Sequence, residues 1–464
     1  MKLSGWRLFV VSSVMIGALA AMAETRPQYG GVLRVAMRAA PASLDPVDLD
    51  LAKLDPASAQ PDSLASLSLT SLMFDTLVAT DESGRIQPGL ATSWQASPGN
   101  QRWQFRIRRG VKFHDGTPLG AEIAAAALRT ANPAWNVSAE ADAVVIEAAK
   151  SDAELLAELA LPRNAILKRN PGGTPSGTGP FHVADWQPGK KLSLAAEENC
   201  WRGRPFLDAV EIEMGKSFRE QMTALELGKS DLVEVAPEQA HRISQEGRRL
   251  VSSAPVELLT LFFTRDAASP EEKLLREALA LSVERGSIRS VLLQGAGQPA
   301  AGILPSWMSG YGFVFSTDAD LPRARHIREQ VHTVPTWTLG YDGTDPVARL
   351  LAERIALNAK DAGLSLQPTS GASADVRLLR ILLAPDPWIA LADVAALTGA
   401  PAGKESGSAE DMYASEVALL ATKRMIPLFH LPVSYAASTN LNNWALRSDG
   451  GWALGDAWLG NSKP

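Results

Sequence analysis

An α/β fold is predicted for this chain of 464 residues, with 46% apolar and 21% charged side chains. Residues 335–384 read as strand, helix, strand. Trp103–Leu128 reads as strand, turn and helix without a gap. The composition is that of an ordinary globular protein, and the length allows two or three domains.

The first 23 residues have the three regions of a secretory signal. Lys2 and Arg7 give a basic start, Leu8–Met22 is almost wholly apolar or small, and Ala21-Met22-Ala23 places small residues before Glu24. Cleavage is expected after Ala23. No cysteine lies near that point, so a lipid anchor is not expected. The mature protein is then free in a periplasm. No later apolar run reaches the length of a membrane helix.

Gly30–Ala36 reads as a strand after a Gly-Gly entry, followed by Ala42-Ser43-Leu44-Asp45-Pro46. Residues 47–65, rich in Asp, Ala, Ser and Pro, read as a loop. Leu72–Leu77 and Pro88–Trp94 flank a turn at Asp81–Gly84, which suits a hairpin. Trp103, Phe105 and Ile107 alternate with polar residues, the period of a half-buried strand. Asp115-Gly116 supplies a turn with positive φ, Pro118 fixes its exit, and Leu119–Leu128 is an Ala-rich helix. Residues 129–170 carry a weaker pattern.

Pro175–Leu207 contains Gly177-Thr178-Gly179-Pro180-Phe181, read as a tight turn. It then runs through Asn199, Trp201, Gly203, Pro205 and Phe206. Ala224–Leu232 is a helix end, stopped at Gly228, and then a strand. Leu259–Thr264 is an apolar strand. Ser269-Pro270-Glu271-Glu272 is a helix start, with Ser as cap, Pro in the first turn and acids at the positive end. Leu275, Leu279 and Val283 share one face of that helix, with Arg276 outward.

Thr336–Gly340 and Leu364–Gln367 are strands joined by a helix that starts at Asp345-Pro346, carries Val347, Leu350, Leu351 and Ile355, and ends near Gly363. A helical crossover implies a parallel pair. Val376–Leu383 is another strand. Residues 399–408 read as a flexible loop, Ala409–Arg424 as a helix and Met425–Tyr435 as a closing strand.

Several chemistries are missing. The net charge of −6 comes with no basic domain, so nucleic acid is not an expected partner. Cys200 is the only cysteine, which rules out a disulfide framework and a thiolate metal site. The six histidines have no metal spacing, and neither H-E-x-x-H nor G-x-S-x-G occurs. Gly399–Lys404 is one residue short of a phosphate loop and is followed by Glu405. His114-Asp115 is explained by its turn. No cofactor or metal is implied.

The uninterrupted run Arg109-Gly110-Val111-Lys112-Phe113-His114-Asp115-Gly116-Thr117-Pro118-Leu119, between a strand and a helix, resembles the signature of the family 5 extracellular solute-binding proteins. Leu44-Asp45-Pro46, Gly177–Phe181, Leu275–Leu279 and the end of the chain resemble other motifs of that family. The resemblance implies a two-lobed periplasmic binding protein fold of type II, with an extra domain in the first lobe. On that basis residues 24–70, 176–258 and 435–464 form a discontinuous first domain, 71–175 the extra domain and 259–434 the second lobe. It implies a hinged monomer without catalytic residues. Such a protein captures a small molecule or peptide between its lobes and delivers it to an ABC permease in the inner membrane. By order along the chain, Arg38, Ala40, Trp135, Phe263, Asp386 and Trp388 are expected to face the ligand. Peptide-binding relatives place an acid, which pairs with the peptide amine, where this chain has Leu383. Unless Asp386 takes over that role, simple free-amine peptides are expected to bind poorly. Two other readings stay open: a receptor turned to an envelope or protein-interaction role, and a periplasmic hydrolase.

Overall fold

A computed structural model describes residues 26–49, 63–81, 84–169, 174–311, 314–371, 373–401, 403 and 406–460. The expected leader lies outside the described residues, as do most of the expected 47–65 loop and parts of the 399–408 loop.

One long mixed sheet runs through the molecule. Its strand order is Ser365–Thr369, Thr336–Gly340, Val376–Leu382, Arg249–Phe263, Met425–Ala437, Leu232–Val235, Val32–Ala36, Ala209–Glu213, Lys191–Ala196 and Phe181–Gln187. The strands from Leu232–Val235 to Phe181–Gln187 belong to the first lobe. Those from Ser365–Thr369 to Val376–Leu382 belong to the second. Arg249–Phe263 and Met425–Ala437 pair antiparallel and pass between the lobes.

Each lobe packs its own core. In the first, Leu33, Val35, Phe181, Val210 and Ile212 meet Tyr435 and Trp452. In the second, successive residues of Arg249–Phe263 point to opposite faces of the sheet. Leu261 and Phe263 join Trp337, Leu351 and Ile355 on one face. Leu258 and Phe262 join Ile381, Trp388 and Val394 on the other. Burial on both faces explains the nearly continuous apolar run from Leu258 to Phe263, in which the one polar residue, Thr260, is buried and donates its hydroxyl to the Ile426 carbonyl at 2.9 Å.

The extra domain is a four-stranded antiparallel sheet, ordered Ala91–Ala96, Arg102–Ile107, Ala143–Glu147 and Asn136–Glu140. Trp103, Phe105 and Ile107 are buried as their alternation predicts. The Ala121–Ala131 helix covers the sheet through Ala124, Ala125 and Leu128. A buried carboxylate ties this domain to the first lobe. Asp75 accepts from Thr178 Oγ1 at 2.9 Å, Trp201 Nε1 at 2.8 Å and Arg202 at 2.5 Å. The Gly177–Phe181 turn and Trp201 are therefore structural junctions.

The strand, helix, strand unit is present. Asp345 caps Pro346–Asp361 by accepting from the amides of Val347 and Ala348, and the flanking strands pair in parallel. Leu350 is exposed, and Ala348 and Ala352 take its place on the buried face. Arg276 corrects the sequence reading. It is fully buried, because its guanidinium lies 3.9 Å over the Phe263 ring and bonds Glu272 at 2.6 Å.

Candidate functional site

The two parallel strands Val32–Ala36 and Leu232–Val235 end at the gap between the lobes. In open α/β sheets ligands collect beyond the carboxyl ends of such strands. A cavity opens there with atom-free space of about 740 Å³, part of it open to solvent. Its charged walls are Arg38, Glu234, Glu257 and Arg380, with Phe218 and Tyr435 as aromatic walls.

The local backbone sets these side chains. Arg38 follows the first strand and donates its own amide to Glu234 at 2.6 Å. Glu257 sits where Arg249–Phe263 shifts register against Met425–Ala437, between the pairs Pro255 with Pro432 and Glu257 with Leu431. Such bulges turn side chains away from the regular pleat and recur beside functional sites. Pro255 and Pro432 have no amide hydrogen, so the ladder is weakest where the chain crosses between lobes. Arg380 comes from the second lobe and pairs with Asp345 at 3.2 Å.

Three contacts close the gap. Arg38 reaches Asp342 of the second lobe at 2.5 Å. Arg163 of the extra domain donates to both carboxylate oxygens of Asp393 at 2.9 Å, while Glu158 holds its other side at 2.6 and 2.8 Å. Burial and the neighbouring Asp386 push the Glu154 carboxyl up to about 7. A smaller pocket between Arg163, Asp393 and Leu383–Pro385 continues the cleft.

Of the six residues expected to face a ligand, Arg38 lines the cavity. The other five lie apart from its walls. Ala40 packs on the first-lobe core, one residue beyond the lining Ala39. Trp135 packs on the core of the extra domain. Phe263 is buried edge-on to Trp337, with ring centroids 5.3 Å apart. Trp388 is buried in the second-lobe core. Asp386 caps its helix, accepting from the amides of Trp388 and Ile389 at 2.9 and 3.1 Å. Glu234, Glu257 and Arg380 were missed. Glu234 alone carried a clear signal, a charge inside the otherwise apolar strand Leu232–Val235, which burial statistics make unusual.

His241, His326 and His332 are exposed, and His114 and His430 serve packing. His430 is buried against the Ile303 carbonyl, and burial lowers it to about 4. His114 bonds the Gly179 carbonyl at 3.1 Å. Asp115 is held at about 2 by its hydrogen bond from Lys168. Among the described residues no cluster of three or more His, Cys, Asp or Glu is placed to hold a metal ion.

Two lobes, crossing strands and a charged cavity between them define a binding protein of the two-lobed periplasmic class. The description of bacterial extracellular solute-binding proteins, family 5 (middle), matches residues 85–381, more than half of the chain. The chain belongs to that family. It is 26% identical over 241 residues to the nickel-binding protein NikA of Staphylococcus aureus, covering 49% of each protein. It is 24% identical over 321 residues to the probable D,D-dipeptide-binding periplasmic protein DdpA of Escherichia coli, covering 63% of this chain and 62% of the relative. The chain thus spans about half to two thirds of these curated relatives. The oligopeptide-binding protein AppA of Bacillus subtilis, solved with a nonapeptide, shares the fold. Its TM-score is 0.78 at 17% identity, over 94% of this chain and all of that one (100%). Members of this family are solute-binding proteins of the periplasm or cell exterior. No helix among the described residues is long and apolar enough to cross a membrane.

Proposed function

We propose that this chain is the solute-capturing receptor of a peptide-type ABC importer. A solute enters between the lobes and the crossing strands bend at Pro255 and Pro432. The closed form then docks on an inner-membrane permease. The observation that carries this reading is the cavity at the strand ends, where Arg38 and Glu234 of the first lobe face Arg380 of the second. A ligand biases such a hinge only through contacts made in the closed state, and a cavity shared by both lobes supplies them.

Several further parts belong to the same reading. The protein works as a monomer, without a cofactor and without catalysis. It is exported by its first 23 residues and stays free in the periplasm. The first domain comprises residues 24–70, 176–258 and 435–464, the extra domain 71–175 and the second lobe 259–434. Relatives take solutes as different as nickel and peptides, so family membership leaves the solute of this chain open.

A thermal-shift screen of peptides, amino acids, amines, sugars and metal chelates, followed by small-angle scattering with each hit, tests the proposal. A stabilising ligand should shrink the radius of gyration. An unchanged radius at saturation would remove the hinge, and a screen without hits would favour an envelope role.

A further inference from the structure

The walls of the cavity carry Arg38 and Arg380 against Glu234 and Glu257, and Glu238, Asp342 and Asp345 just behind them add further carboxylates. Two guanidiniums, Arg38 and Arg380, are already paired with Asp342 and Asp345. Glu234, Glu238 and Glu257 stand around the same pairs. Glu257 lines the cavity, and its carboxylate makes no hydrogen bond or ion pair with any described residue, feeling Arg38 and Arg380 only at longer range. One carboxylate oxygen of Glu238, next to the lining Pro237, is buried without a partner. An unpaired buried carboxylate is costly, and it responds by holding a proton. Burial raises the affinity of both Glu257 and Glu238 for a proton. Both carboxyls thus stand to gain from a positive charge brought beside them.

The form of that charge follows from the surroundings. The carboxylates do not converge into a metal shell among the described residues. Phe218 and Tyr435 line the same space, and the Phe218 ring already carries the Arg38 guanidinium 5.7 Å from its centroid, so these walls suit an organic cation. Both arginines are neutralised by their own aspartates, so a carboxylate on the solute finds no vacant cation.

We propose that the captured solute is a small organic cation, carrying a primary ammonium or a guanidinium group, and that Glu257 receives that group. This rests on the cavity being the capture site. Binding then releases the proton held by Glu257 to the buffer, and a charge-assisted hydrogen bond replaces it. Arg38 stays with Asp342 and holds the second lobe over the solute, while Arg380 stays with Asp345 within that lobe.

Calorimetric titration of the mature protein with agmatine, cadaverine, L-arginine, Gly-Gly, N-acetyl-Gly-Gly and succinate tests this. Each probe is run at pH 7 in two buffers of different ionisation enthalpy. The cations agmatine and cadaverine, and L-arginine with its guanidinium, should bind at least tenfold tighter than N-acetyl-Gly-Gly or succinate. Their heats should differ between buffers by the amount that proton release requires. Glu257→Gln should weaken the cations at least tenfold, abolish the buffer dependence and leave the melting temperature unchanged or higher. A general folding defect would lower it. The inference is overturned if N-acetyl-Gly-Gly or succinate binds tightest, or if Glu257→Gln keeps both affinity and proton release. In either case the receptor reading stands. If none of these probes binds and the wider screen finds no ligand, the receptor reading fails and this inference fails with it.

Discussion

Arg276 is a cation held inside the second lobe by groups from several chain segments. Its guanidinium bonds Glu272 at 2.6 Å and the carbonyls of Arg265 and Lys423 at 3.1 and 3.2 Å, beneath the Phe263 ring. Breaking a buried pair by removing one partner costs about 3–5 kcal/mol. Glu272 keeps Arg265 at 3.1 Å, so Arg276→Ala should fall near the lower end. Urea unfolding measures it. A change within about 0.5 kcal/mol, the size of a surface substitution, would contradict the burial account. Helical periodicity placed Leu275 and Leu279 inward correctly and Arg276 outward wrongly. The groups that cover Arg276 lie far along the chain, and no local period contains them. The same limit applies to Glu234, Glu257 and Arg380. Glu234 is visible in sequence as a charge within an apolar strand, Glu257 stands just before the apolar run from Leu258, and Arg380 shares its strand with Arg377. Which strands end at the gap is decided by pairing between residues some 200 positions apart.

At the scale of elements, caps and close approaches were the most legible features. Ser269 accepts from the Glu272 amide, and Asp345 caps its helix where the sequence placed it. Less legible was the hairpin Asn136–Glu140 with Ala143–Glu147. Its turn uses Ala141 at φ 53°, where a glycine or asparagine would have signalled it. The full reach of Arg249–Phe263 was also hidden, because only its apolar end, from Leu258, has strand-like composition. The Gly177–Phe181 turn was recognised, and the structure supplies its physical reason. A Cβ on Gly177 would stand 2.1 Å from the Met73 carbonyl oxygen and 2.4 Å from the Phe74 ring. Gly177→Ala must therefore move the backbone that joins the extra domain to the first lobe. It should destabilise by about 1–3 kcal/mol, the usual cost of overpacking. Gly286→Ala is the control, since it meets nothing within 4 Å on an exposed helix face. It should stabilise by up to about 1 kcal/mol through helix propensity. Equal melting temperatures for the two variants would refute the close-approach argument.

For the whole molecule, the two lobes meet largely through charge, in Arg38 with Asp342, Arg163 with Asp393 and Glu154 beside Asp386. Motifs along the chain made the two-lobed architecture legible, but these contacts join residues with no shared local pattern. The Glu154 contact makes closure depend on pH, and its sign follows from the shift. In the closed form, burial, Asp386 and Asp152 raise the Glu154 carboxyl to about 7. In an open form it faces solvent and returns toward the ordinary carboxylate range near 4.3. Above about pH 7 Glu154 is charged in both forms, so closure carries the full repulsion from Asp386. As pH falls through 7 the closed form takes up a proton that the open form does not, and closure gains. The gain is complete once the open form is also protonated. The unliganded protein should therefore be more compact at pH 5.5 than at pH 8.5. Burial of Glu238 and Glu257 adds a dependence of the same sense. Small-angle scattering on Glu154→Gln isolates the Glu154 contribution, because the amide carries no charge at either pH. The variant should match the compact wild type at pH 5.5 and expand less than wild type at pH 8.5. An identical pH profile for variant and wild type would show that Glu154 does not gate the lobes.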